Sequence, residues 1–166
     1  MRHKLHQPNV IRLRDVFPTG RFLNGDIQVS SCCHDSRLCQ PGDLFAALVG
    51  KEHDGHDFAS DAIARGAAAV LSERMLPIQA PTCVVDDSRA AYGRLCHALA
   101  GHPSKRIKVV GVTGSYGKTI TSMLTASMLE AAGEGVGIFS SLGYCDGDQV
   151  VTDVPATPQP AELARW

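Results

Sequence analysis

The sequence predicts an α/β chain built in two successive parts, a small first domain and then the start of a P-loop unit with a parallel sheet. Three observations predict this. Short apolar runs alternate with amphipathic helical segments as far as residue 100, the pattern of a largely parallel sheet flanked by helices. A segment dense in breakers and charge, Gly101-His-Pro-Ser-Lys-Arg106, then interrupts that pattern and reads as a linker. Beyond it a glycine-rich stretch lies between an apolar run, Ile107 to Val112, and an amphipathic run, Ile120 to Ala132. A length of 166 residues suits one small domain plus a piece of another, and the expected division is 1–104 and 105–166.

Each element has its own signal. Residues 9–17 read as a short helix with Asn9 as N-cap and Pro18 as its stop. Asp26 to Ser31 alternates like a strand, and Cys33 to Asp43 is loop-like, turning at Pro41-Gly42. The apolar run Leu44 to Val49 looks like a buried strand, and Asp54-Gly55 marks a turn in the polar loop after it. Phe58 to Arg65 is a helix closed by Gly66, and Ala67 to Leu71 and Pro81 to Val85 are strands. Asp87 caps a helix over Ser88–Ala100 whose Ala91, Leu95, Ala98 and Leu99 share one face. In the second part, 107–112 is expected to be a strand with Val136 to Phe139 parallel to it. The stripe Ile120, Met123, Leu124, Met128 and Ala131 is expected to be core.

Composition excludes several classes. A hydrophobic share of 44% and a charged share of 20% describe a soluble globular protein, and a formal charge of −1 gives no basis for nucleic-acid binding. No apolar run approaches a membrane span, and the basic start lacks the apolar core of a secretory signal, so a cytoplasmic protein is expected. The six cysteines, Cys32, Cys33, Cys39, Cys83, Cys96 and Cys145, are then expected to be reduced thiols. Cys32, Cys33, His34, Cys39, His53 and His56 raise the question of zinc, but their spacing matches no CxxC pair, so ordinary thiols are the reading taken.

Gly111-Val-Thr-Gly-Ser-Tyr-Gly-Lys-Thr119 carries the chemistry. A glycine-rich loop between strand and helix, ending in Gly-Lys-Thr, lets backbone N–H groups converge on an anion at a helix N-terminus. Lys118 is placed to neutralise transferring phosphate and Thr119 to offer its hydroxyl to Mg²⁺. The usual pattern has glycine where this chain has Val112, and a chance turn is the plain alternative. After Lys118 the acids are Glu130, Glu134, Asp146, Asp148, Asp153 and Glu162, and none ends an apolar strand to help hold the metal. The second part is therefore expected to be incomplete, the front of a longer protein or a relic of one. Unpaired strand edges should make it mobile or self-associating. A free-standing phosphotransferase is disfavoured by the missing acid.

Two stretches carry a resemblance. The first runs through Asp35-Ser36-Arg37, Pro41-Gly-Asp-Leu-Phe-Ala-Ala47, Gly50, Asp54-Gly-His56, Phe58, Ala62 and Gly66-Ala67; the second is Val112 to Thr119. Together they resemble the Mur ligases, ATP-dependent amide-forming enzymes of peptidoglycan synthesis. Leu142-Gly-Tyr144 and Ala156-Thr-Pro158 are similar to the MurE type, the tripeptide synthetases, while the MurF type shares only the first two stretches. The resemblance implies a first domain that binds the UDP end of a sugar–peptide substrate, followed by the opening of an ATPase domain. It implies UDP-sugar contacts at His34, Ser36, Lys51, Glu52 and His53, and a further substrate contact at Thr157. It implies an ATP loop of Gly114, Ser115, Tyr116, Gly117, Lys118, Thr119 and Ile120, with Mg²⁺ on Thr119 and Lys118 acting in catalysis. The implied small molecules are ATP, UDP-MurNAc-dipeptide and a diamino acid, either meso-diaminopimelate or lysine. Tyr116, Ile120 and Ala156 depart from the family's Asn, Thr and Thr. A fragment that catalyses nothing alone, a non-catalytic nucleotide-sugar module derived from such a ligase, and a MurF-type ligase all remain readings of this sequence.

Overall fold

A computed structural model describes residues 10–50, 52–147, 149–152 and 157–166. The chain divides into two compact units between Pro103 and Ser104.

The first unit is organised by one five-stranded sheet. In chain order its elements are β1 (Ile11–Arg12), α1 (Leu13–Val16), β2 (Arg21–Leu23), β3 (Gln28–Val29), β4 (Cys32–Cys33), β5 (Leu44–Ala46), α2 (Ala59–Ala64), β6 (Ala69–Ser72), β7 (Thr82–Val84) and α3 (Ser88–Leu99). The sheet runs β2-β7-β6-β5-β4, with β4 to β7 parallel and β2 antiparallel at the edge beside β7. A separate pair joins β1 to β3, Ile11 opposite Val29. Strand residues alternate between faces. Phe45 and Val70 pack with Cys39, Ala47, Ala59, Ala62 and Ala67 in a cluster that includes α2. Leu44, Ala46 and Leu71 alternate with them along the strands, while α3 packs on β6 and buries Ala91, Tyr92, Leu95, Cys96 and Ala98. Leu44, Leu71 and Leu95 are fully buried, each contributing about 1.5–3 kcal/mol relative to exposure.

Several predicted elements need correction. The helix predicted over 9–17 is only α1, because Ile11 and Arg12 are taken into the pairing with β3. Arg12 occupies the cap position and makes no side-chain cap bond; Asn9 lies outside the described residues. Asp26 to Ser31 is a strand only at Gln28–Val29, and β2 carried no sequence prediction. The six cysteines are not all thiols: Cys33 and Cys39 form a disulfide. The one-turn 3-10 helix Ser36–Leu38 folds the chain back, bringing the two Cα atoms to 5.8 Å, a separation suited to the bond. The cap of α3 is as predicted, with Asp87 accepting from the Ala90 amide. Gly66, at φ +106, closes α2, and the left-handed backbone there requires glycine.

The second unit holds α4 (Lys118–Ala131), β8 (Ile138–Ser140), β9 (Gly143–Cys145), β10 (Val150–Val151) and α5 (Pro160–Arg165). Its sheet is antiparallel, in the order β10-β9-β8. Buried Tyr144 lies within 5.4 Å, centroid to centroid, of the Phe139 and Trp166 rings. Gly143 has no substitute, since a Cβ there would sit 2.2 Å from the Val151 carbonyl oxygen. Among the described residues the expected parallel pairing of 107–112 with 136–139 does not form. Residues 107–112 join no ladder, and Ile107, Val109 and Val110 are exposed. The 136–139 segment contributes to β8, which pairs antiparallel with β9. A parallel strand needs a neighbour on which to bond its amides, and β9 and β10 are joined to β8 by short turns that bring them in first. The stripe on α4 is likewise not core: Ile120, Met123, Leu124 and Met128 are exposed and Ala126 is its buried residue.

Candidate functional site

The glycine loop of the second unit folds as its composition requires. Gly114 and Gly117 have φ of +152° and +78°, backbone that disfavours other residues. Gly117 stands at the N-cap of α4 and offers no side-chain cap to the first-turn amides. The Lys118 ammonium donates to the Gly114 carbonyl at 2.8 Å and closes the loop on itself. Ser115 and Tyr116 are exposed at the turn, Tyr116 almost completely. Thr119 is half-buried in the first turn, its carbonyl accepting from the Ser122 hydroxyl at 2.9 Å; Ile120 is exposed. A lysine, a run of helix-start amides and a threonine hydroxyl within one turn can bind a phosphate chain. Thr157, the remaining predicted residue of this unit, is exposed, and Ala156 lies outside the described residues.

The other predicted residues belong to the first unit, on two separate segments, the turn after β4 and the loop after β5. His34 follows β4 and is exposed, with Nδ1 3.2 Å from the Tyr92 hydroxyl and its ring tilted against the Tyr92 ring at 5.3 Å. Asp35 caps the next turn: its carboxylate accepts from the Arg37 amide and, at 2.9 and 2.7 Å, from the Arg37 guanidinium. Those bonds from Arg37 hold the Asp35 carboxyl down at about 2. Ser36 is buried inside that turn. The geometry therefore also matches a self-contained capped turn, with His34, Arg37 and Leu38 exposed around buried Ser36.

The loop after β5 is a tight hairpin. Val49 bridges Asp54, the Gly50 amide donates to the His53 carbonyl, and the Gly55 amide donates to the Leu48 carbonyl, each at 2.9 Å. Gly55 must be glycine, because a Cβ would come within 2.6 Å of the Leu48 backbone. Glu52 and His53 are exposed at the tip, His53 edge-on to Phe58 at 6.3 Å; Lys51 lies outside the described residues. Arg89 of α3 donates to the Val49 carbonyl at 2.7 Å, tying the hairpin to the helix.

Sequence reasoning missed the network beneath this hairpin. Buried His56 receives the Glu73 amide at Nε2, 2.9 Å away, so its proton resides on Nδ1 and is donated to Asp54 at 2.5 Å. Asp54 also accepts from the His56 amide and pairs with Arg74 at 2.9 Å. The two bonds from His56 bring the Asp54 carboxyl down to about 2. The Glu73 carboxylate in turn accepts from the Ser88 amide and hydroxyl, 2.8 Å each, at the start of α3. Tyr92 was not among the predicted residues either, and the pairing of residues 54, 56, 73 and 88 crosses three loops and leaves no local pattern.

These features define a two-unit α/β chain whose second unit begins its long helix from a P-loop-type turn. A family model described as "Mur ligase family, catalytic domain" matches residues 28–98, all within the first unit. A UDP-N-acetylmuramyl-tripeptide synthetase of Deinococcus radiodurans is 42% identical over 144 residues, 83% of this chain and 29% of that protein. A UDP-N-acetylmuramoyl-L-alanyl-D-glutamate--2,6-diaminopimelate ligase of Geobacillus thermodenitrificans is 40% identical over 131 residues, 79% of this chain and 27% of its own length. A solved structure of a ligase of that second name superposes with a TM-score of 0.67 at 22% identity, over 94% of this chain and 32% of its own, and supports the fold. The chain is thus similar to Mur ligases over most of its length, and both of these curated relatives bear the names of MurE-type ligases. It spans less than a third of the length of the two curated relatives. Among the described residues no helix is long and apolar enough to cross a membrane.

Proposed function

We propose that this chain is the sugar-nucleotide-binding unit and phosphate loop of a ligase that adds a diamino acid to UDP-N-acetylmuramoyl-L-alanyl-D-glutamate in the cytoplasm. The carrying observation is the Gly114–Thr119 turn, closed by Lys118 on the Gly114 carbonyl at the head of α4, in a chain whose relatives bear the names of such ligases. On this reading 1–104 is the UDP-MurNAc-binding domain and 105–166 opens the ATPase domain. In the reaction the substrate carboxylate attacks the γ-phosphorus of ATP, the bond to the β-bridging oxygen breaks, and ADP leaves. The amine then attacks the acyl carbon and expels phosphate. Lys118 releases the Gly114 carbonyl and turns to the transferring phosphoryl group, while loop amides orient the phosphate chain. Thr119 offers a hard oxygen of the kind Mg²⁺ takes, and that ion would supply charge neutralisation at the phosphates. His34, Ser36, Glu52, His53 and Lys51 would hold the uridine diphosphate end, and Thr157 the peptide end. The 166-residue chain alone binds the sugar nucleotide and catalyses nothing.

Titration calorimetry with UDP-MurNAc-dipeptide and ATP on the same sample tests this. Saturable binding of the sugar nucleotide, weakened by His34→Ala, is expected, together with Mg-dependent ATP binding abolished by Lys118→Ala. Absence of both signals from folded protein overturns the reading.

A further inference from the structure

β4 carries two adjacent cysteines on opposite faces of the sheet. Cys33 packs with the Phe45 cluster and is bonded to Cys39. Cys32 meets α3, where its sulfur lies 3.7 Å from that of Cys96. Two residues further along the chain His34 meets Tyr92, one helical turn before Cys96. The sulfur pair and the His34–Tyr92 pair are thus consecutive rungs between the same strand end and the same helix face. Cys32 is partly exposed and Cys96 is buried, which separates an accessible sulfur from a resolving one.

We propose that Cys32 and Cys96 form a thiol-oxidation site, closed to a disulfide by hydrogen peroxide, that locks β4 to α3 and resets the His34–Tyr92 contact. The Cys32 thiolate attacks a peroxide oxygen, the O–O bond breaks, hydroxide leaves, and Cys32 becomes a sulfenic acid. The Cys96 sulfur attacks that sulfur, the S–O bond breaks, and water departs with the Cys96 proton. Closing from 3.7 Å to a bond of about 2.05 Å is within reach of side-chain rotation at both residues. Cys83 does not compete, since it is fully buried and burial pushes its thiol up to about 11. Resting on the proposed function, the ligand affected is the uridine end of the sugar nucleotide, because His34 lies next to the lock.

The test treats the reduced chain with hydrogen peroxide, maps disulfides by proteolysis and tandem mass spectrometry, and follows the His34 imidazole signal by NMR. A Cys32–Cys96 cross-linked peptide, lighter by two hydrogens than its parts and reversed by dithiothreitol, is expected, with the His34 signal shifted. Cys96→Ser should leave a Cys32 sulfenic acid that dimedone traps, and no oxidation-induced shift. Cys32→Ser, at the more exposed position, should lose the cross-link while keeping the circular dichroism of the parent. Cys32 as a sulfinic acid with Cys96 untouched, Cys32 paired to Cys39, or a cross-link that leaves the His34 signal in place each overturns the proposal. Neither readout needs the nucleotide, so failure here is distinct from failure of the functional reading.

Discussion

Replacing His56 with alanine should destabilise the first unit by about 2–4 kcal/mol. The imidazole is 1% exposed and makes two side-chain bonds, one given to Asp54 and one received from the Glu73 amide. Losing both costs roughly 1–3 kcal/mol, and the space left by the ring adds a cavity cost on the order of 1 kcal/mol. Urea unfolding followed by far-ultraviolet circular dichroism reads the change as a midpoint lowered by about 1–2 M, for a slope typical of this size. His56→Gln, which restores one donor or acceptor, should recover part of the loss. Acid adds a second readout. Asp54 lies at about 2 when folded against its ordinary 3.8. Its contribution is therefore complete above about pH 4 and is lost as pH falls through about 2. In His56→Ala the backbone bond to Asp54 remains and the ring bond is gone, so the acid-dependent loss should shrink. A His56→Ala chain within about 0.5 kcal/mol of the parent, with the same acid profile, would refute the view that this histidine holds the hairpin.

Other expectations follow from the same geometry. Lys118→Ala should leave the melting temperature unchanged, because the side chain is exposed, and remove ATP binding as measured by calorimetry. Gly117→Ala forces a side chain into φ +78°, costing about 1–2 kcal/mol, and should weaken ATP binding by distorting the loop. Asp87→Ala removes the cap on the Ala90 amide and should cost about 1 kcal/mol in urea unfolding. Asp35→Asn breaks a solvent-screened ion pair in the turn that carries His34 and Ser36, so its effect should appear in sugar-nucleotide affinity rather than in the urea midpoint.

What the residues disclosed in advance depended on how local each signal was. The α3 helix, its Asp87 cap, the Gly66 closure and the strands at 44–46, 69–72 and 82–84 were legible because period, cap and breaker sit within a few positions of one another. The glycine loop was legible for the same reason. The 107–112 run failed as a strand because β-type composition needs a partner to bond to, and among the described residues none pairs with it. The α4 stripe failed similarly: its period is helical, but a stripe becomes core only where something covers it. The disulfide and the His56 network depend on loops folding back, which no window of sequence reports.

The Val49–Asp54 hairpin carries a consequence for engineering. Its stem is fastened by three backbone contacts and an arginine from α3, while Glu52 and His53 project from the tip. Side chains at the tip are thus freely exchangeable without disturbing the stem, whereas Gly50 and Gly55 are not. A library confined to Glu52 and His53 would vary the exposed tip of the loop and leave the scaffold intact.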